Sequence, residues 1–99
     1  MSRRLTSMLI LSAAFSGSLA LSAAHAADRD FCRGYSRAAV RQFHEAQEHG
    51  RCRAAIRDDP NRWHGDYRSH FEWCRSADVD YSSRERYSRK RVLDDCVHD

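Results

Sequence analysis

Residues 30–52 read "DFCRGYSRAAVRQFHEAQEHGRC", and the way this stretch folds decides how the chain's four cysteines can pair. From Phe31 to His49 it has no proline and only one glycine, Gly34. Asp30 can cap the start of a helix and Gly50 can end it. Cys32, Tyr35, Ala39, Phe43 and Ala46 then recur at helical spacing on one side, with Arg33, Arg37 and Arg41 on another. The spacing predicts one long helix. About twenty residues at roughly 1.5 Å each place Cys32 and Cys52 near 30 Å apart, whereas a disulfide requires Cα atoms within about 7 Å. If that helix is continuous, these two cysteines are not partners.

Upstream, Arg3 and Arg4 precede an uncharged stretch from Leu5 to Ala24 that closes on small residues. Ala24 and Ala26 suit an A-x-A processing site, so residues 1–26 are expected to be a secretory signal peptide and residues 27–99 the mature domain. The alternative is an uncleaved leader, which would be the chain's one route to a membrane. Thr6 and Ser7 do not continue a twin-arginine motif, and no cysteine ends the apolar stretch to carry a lipid.

Removing the leader removes two of the 17 basic residues and none of the 14 acidic ones, so the net charge drops from +3 to about +1. A nearly neutral exported chain does not call for a nucleic-acid partner.

The mature part has about 73 residues, a size at which folding buries only about 60% of the chain's surface. Four cysteines in a short exported chain read as a disulfide framework: Cys32, Cys52, Cys74 and Cys96. No C-x-x-C is present, which argues against a thioredoxin-like or c-type haem site, and the wide spacing is unlike a zinc module.

Residues 51–65 hold Asp58, Asp59, Pro60, Asn61 and Gly65 and predict a loop, with room for one helical turn at Arg53–Arg57. A second helix is expected from about Asp66 to Ser76. Tyr67, His70, Phe71 and Cys74 lie at i, i+3, i+4 and i+7 on its inner face, with Trp73 at the edge. A third helix is expected from Ser82 or Ser83 to about Val97, with Ser82 and Glu85 as a capping box. The fold class is thus a small all-α domain of three helices cross-linked by two disulfides. Two pairings remain open. The favoured one is nested, Cys32 with Cys96 and Cys52 with Cys74, because it closes one short loop and ties the chain ends; the other is Cys32 with Cys74 and Cys52 with Cys96.

The order Tyr35, Ala39-Val40, Gln42, Gly50, Cys52, Trp63, Tyr67, His70, Trp73-Cys74, Leu93, Cys96 resembles short exported bacterial four-cysteine proteins of uncharacterised function, some built as repeated units. The resemblance spans nearly all of the mature chain. It implies secretion, helices and paired cysteines, and brings no activity, ligand or catalytic residue with it.

Candidate chemistry is sparse. In "HEAQEH", residues 44–49, the histidines are five apart, about 140° around a helix, so they do not form the H-E-x-x-H metal site. Trp63, His64, Asp66, Tyr67, His70 and Trp73 make the best candidate ligand-binding cluster. No nucleophile–base set is apparent, so no enzyme, cofactor or resident metal is expected. The basic run Arg84, Arg86, Arg89, Lys90 and Arg91 is offset by Asp94, Asp95 and Asp99 and reads as a solvated face. The expected function is a non-enzymatic binding or envelope accessory role in the periplasm or outside the cell, with an unidentified protein or envelope partner. The alternative is a metal- or ligand-binding stress protein using His64 and His70, responsive to pH through its five mature histidines.

Overall fold

The computed structural model describes residues 27–98; the expected signal peptide, residues 1–26, lies outside the described residues. Four helices form: α1, Arg29–Gln47; α2, Gly50–Ile56; α3, Tyr67–Ser76; and α4, Val79–Cys96. The described residues are all-helical, as the sequence predicts, with one helix more than expected.

Three of the four helix starts use the same device. Asp28, Asp66 and Asp78 stand in extended conformation, and each carboxylate accepts a hydrogen bond from the backbone N–H three residues on, at 2.8, 3.2 and 2.7 Å. Asp28 thus caps α1, and Asp30, the expected cap, sits in the first turn and pairs with Arg33. Likewise α4 begins three residues before Ser82. The aspartate at position 78 follows the extended break at Ala77 and supplies the better acceptor, so Ser82 becomes a buried interior residue and no Ser82–Glu85 box forms.

Gly50 does not end α1. The helix stops at Gln47, whose free carbonyl is taken up by Arg53 Nη1 at 2.8 Å, and Gly50 is the first residue of α2. His49 is extended and no glycine here takes a positive φ, so the chain turns through an extended residue instead of a left-handed cap. The single turn expected at 53–57 is a seven-residue helix that points Cys52 and Ile56, four apart, inward.

The disulfides are Cys32–Cys74, with Cα atoms 5.6 Å apart, and Cys52–Cys96, at 5.0 Å. The favoured nested pairing is therefore corrected to the alternative. The connection lengths explain why. Only Ala77 and Asp78 separate α3 from α4, which makes those two helices reverse direction. The long return through residues 57–66 has already sent α3 back along α1, so Cys74 reaches Cys32. Helix α4 then runs in the direction of α1 and carries Cys96 to Cys52.

Two apolar clusters result. Cys32, Tyr35 and Cys74 pack with Ala27, Phe31 and Phe71 at one end; Ala46, Cys52, Ile56, Trp63, Leu93 and Cys96 pack with Phe43, Val92 and Val97 at the other. Each bridge sits inside one cluster. Alanines at 38, 39 and 46 and Ser36 fill the inner face of α1, and small side chains there let α3 and α4 approach closely.

Candidate functional site

Between α1, the 57–66 connection, α3 and α4 lies an open cleft of about 450 Å³. Its floor is charged. Arg89, on the inner face of α4, is only 1% exposed. Its Nε donates to Gln42 Oε1 at 2.9 Å, and its Nη1 reaches Glu85 Oε2 at 3.4 Å. Arg62, from the connection, grips the same carboxylate with two N–H groups, Nε to Oε2 at 2.5 Å and Nη2 to Oε1 at 3.1 Å. That bond and the Glu85 charge hold Arg62 firmly protonated, against the opposing effect of burial. Asp59 adds a looser contact to Arg62 Nε at 3.9 Å. Arg89 also lies over the Tyr35 ring, its guanidinium carbon 5.0 Å from the centroid. Burial pushes the Tyr35 phenol above its ordinary value, with Arg89 opposing, so it stays protonated.

One wall is made by two imidazoles. His64 and His70 stack with centroids 4.0 Å apart and planes 8° from parallel. His70 is 5% exposed, and its Nε2 lies 2.9 Å from the His64 carbonyl; a carbonyl only accepts, so Nε2 carries the hydrogen. His64 Nδ1 accepts the Asp66 backbone N–H at 3.1 Å. Burial is the main cause that holds the His70 pKa below the usual histidine value, keeping the ring neutral at pH 7.

Aromatic rings form the rim. Trp73 stacks on Tyr35 at 5.5 Å and leans on Tyr81 at 5.8 Å; they stay 38% and 57% exposed. Arg84 lies 5.8 Å from the Tyr81 ring centroid, in cation–π contact.

Of the six residues singled out from sequence, His64, His70 and Trp73 line this cleft. Trp63 is instead buried in the core cluster that holds Cys52 and Leu93. Asp66 serves as the α3 cap and orients His64. Tyr67 stacks on Phe71 beside Arg33, on a different patch. The four cysteines are all bridged. Arg62, Glu85, Arg89, Tyr35 and Gln42 were not expected at the site, and Arg89, expected on the solvated basic face, is buried instead. A signal for Arg89 was present: it lies four and seven residues before Leu93 and Cys96, on the same helical stripe.

The histidine pair is poorly arranged for one metal ion. Ring lone pairs lie in the ring planes, and two nearly parallel planes do not converge on a shared ion; His64 Nδ1 is also engaged. Among the described residues, no three of His, Cys, Asp and Glu gather as a metal-holding group, and no helix is long and apolar enough to cross a membrane.

No family model, curated protein or solved structure matches this chain.

Proposed function

We propose that the chain is an exported, non-enzymatic binding module whose contact surface is the aromatic rim of the cleft. The observation that carries this reading is the Trp73 ring, seated on buried Tyr35 and flanked by Tyr81, yet more than a third exposed. An indole held in one orientation before a partner arrives loses little entropy on binding, and tryptophan and tyrosine dominate interface energetics. Two buried disulfides support export, since such bridges form and persist outside the reducing cytoplasm. A protein or envelope component that stacks against Trp73 and Tyr81 is the partner this surface suits.

The test is photo-crosslinking in intact cells from position 73 or 81, with position 58, on the exposed connection, as control. Discrete adducts from 73 and 81 but not from 58, on a protein beginning at Ala27 with no free thiol, support the reading. The same adducts from all three positions, or a reduced protein that keeps its leader, would overturn it.

A ligand site built on His64 and His70 as metal donors is disfavoured by their parallel stack.

A further inference from the structure

We propose that the stacked rings of His64 and His70 form an acid-sensitive clasp. A proton taken up by His64 breaks its hydrogen bond to the Asp66 backbone, parts the two imidazoles and opens the cleft wall beside Trp73, while the rest of the fold stays in place.

The hydrogen bonds fix which ring nitrogens are free. His64 Nδ1 accepts the Asp66 N–H at 3.1 Å, so the ring is neutral with its hydrogen on Nε2. An asparagine or aspartate oxygen plays this part in an Asx-turn, reaching the backbone two residues on. A proton added to the imidazole must go on Nδ1, where it turns the acceptor into a donor that faces a donor. The Asp66 N–H then loses its partner, and Asp66 is the residue whose carboxylate caps α3. The Nε2–H of His70 is engaged with the His64 carbonyl at 2.9 Å, and its ring centroid is 4.0 Å from that of His64. A charge on either ring therefore sits directly against its neighbour.

The groups around the clasp do little to compensate such a charge. From α1, Tyr35 stands edge-on to His70 with centroids 6.5 Å apart and its phenol protonated, and the His44 imidazole lies close to Gly65, the residue after His64. From α4 come Arg89, a cation whose field opposes a proton on His70, and Glu85, already bound to Arg62 and Arg89. In the connection, Asp59 faces Arg62. On α3, the Asp66 carboxylate accepts the Ser69 N–H and favours the His70 cation only through space. Among the described residues, no carboxylate hydrogen-bonds to either ring.

Both flanks of the clasp are anchored independently, which keeps the opening local. Trp63 is 5% exposed in the cluster that holds the Cys52–Cys96 bridge, and α3 is tied to α1 through Cys74 and Cys32. Gly65, between the half-buried His64 and Asp66, supplies the backbone freedom for the ring to swing out. Trp73 lines the same cleft as both histidines. A role for the clasp in partner binding rests on the binding-module reading; the clasp itself does not.

The test is a titration of the oxidised protein from about pH 8 to about pH 4.5, across the range in which histidine takes up protons. The readouts are imidazole nitrogen–proton correlations, the protection factor of the Asp66 amide against hydrogen exchange, and the two indole signals. The expected result is a His64 ring with its hydrogen on Nε2 at pH 8, and on acidification a fall in Asp66 protection of at least about tenfold. The Trp73 indole should shift with the same midpoint while the Trp63 indole stays put. His64→Asn keeps an acceptor for the Asp66 N–H and cannot titrate, so Asp66 protection and the Trp73 signal should become independent of pH. A His64 ring with its hydrogen on Nδ1 at pH 8, or Asp66 protection that does not change, would overturn the proposal in the wild-type protein alone. So would a Trp73 signal that does not follow, a Trp63 signal that moves in step, or a transition that survives in a folded His64→Asn protein. Crosslinks from position 73 beside a clasp that does not titrate would leave the binding module and remove the clasp; a titrating clasp without those crosslinks would do the reverse.

Discussion

The Arg89 guanidinium lies against the face of Tyr35, 5.0 Å from the ring centroid, in a position that its neighbours on α4, Leu93 and Cys96, mark as core. A charge with 1% exposure survives there because Gln42 and Glu85 take two of its donors and an aromatic face covers a third side. Around this cation the 57–66 connection, α1 and α4 are fastened together.

Removing the shared carboxylate should therefore hurt more than removing its exposed partner. Glu85→Ala leaves a buried guanidinium without its counter-charge and is expected to cost about 2–3 kcal/mol, below the usual figure for fully buried pairs because Glu85 keeps some solvent contact. Arg62→Ala, at a third-exposed site, is expected to cost roughly 0.5–1 kcal/mol. Urea unfolding of the oxidised protein measures both. In an Arg89→Met background the Glu85→Ala cost should shrink, and an unchanged cost would show that the two side chains are not coupled.

The His70 ring makes stability depend on pH in a defined direction. Its folded pKa lies below the ordinary 6.5, chiefly through burial. Above about pH 6.5 the ring is neutral in folded and unfolded chains alike, and its packing contributes fully. As pH falls below that, the unfolded ring takes up a proton while the folded one resists, so stability drops until the folded pKa is passed. The stability difference between the wild type and His70→Gln should narrow from about pH 7.5 to about pH 5. A constant difference would place His70 outside the acid response.

Each disulfide spans more than forty residues, separations of 42 and 44, and chain-entropy arithmetic assigns about 4 kcal/mol to closing a loop of that length. Total stability for so small a domain is only about 5 kcal/mol or slightly more. Reduction is thus expected to unfold the protein, and paired Cys32→Ala with Cys74→Ala to leave it marginal. Far-UV circular dichroism melts with and without dithiothreitol check this; superimposable melts would contradict it.

The start of α4 offers a sharper comparison. Asp78→Ala removes the cap and is expected to cost about 1 kcal/mol. Ser82→Ala, which would be the damaging change if Ser82 were the cap, instead deletes a buried hydroxyl that has no partner and should be neutral or stabilising. Thermal melts of the two variants should move in different directions, or one should move while the other stays.

What the sequence made legible was periodicity. The stripe through Cys32, Tyr35, Ala39 and Ala46 and the one through His70 and Cys74 both face inward, so the helical class and the exclusion of a Cys32–Cys52 bridge follow from spacing alone. Which cysteines do pair was settled by the return through residues 57–66, which runs α3 back along α1; the two-residue connection at 77–78 then turns α4 the other way, and it is short because an aspartate caps earlier than the serine that looked suited to it. The candidate site was half legible: His64, His70 and Trp73 are scarce residue types and drew attention. Arg62, Glu85 and Arg89 hide among many like residues, and only tertiary packing separates a buried arginine from a solvated one. Trp63 misled for the opposite reason, since a tryptophan in a turn-rich segment looks available when it is in fact the plug of the second cluster.

The two sulfur bridges overlap along the chain, so every peptide bond between Cys32 and Cys96 belongs to at least one covalent ring, and those between Cys52 and Cys74 belong to both. A protease that severs the exposed connection near Pro60 therefore frees no fragment: the two halves stay tethered twice, and the fold can reassemble around the break. Among hydrolytic enzymes, such a chain wears damage as a scar.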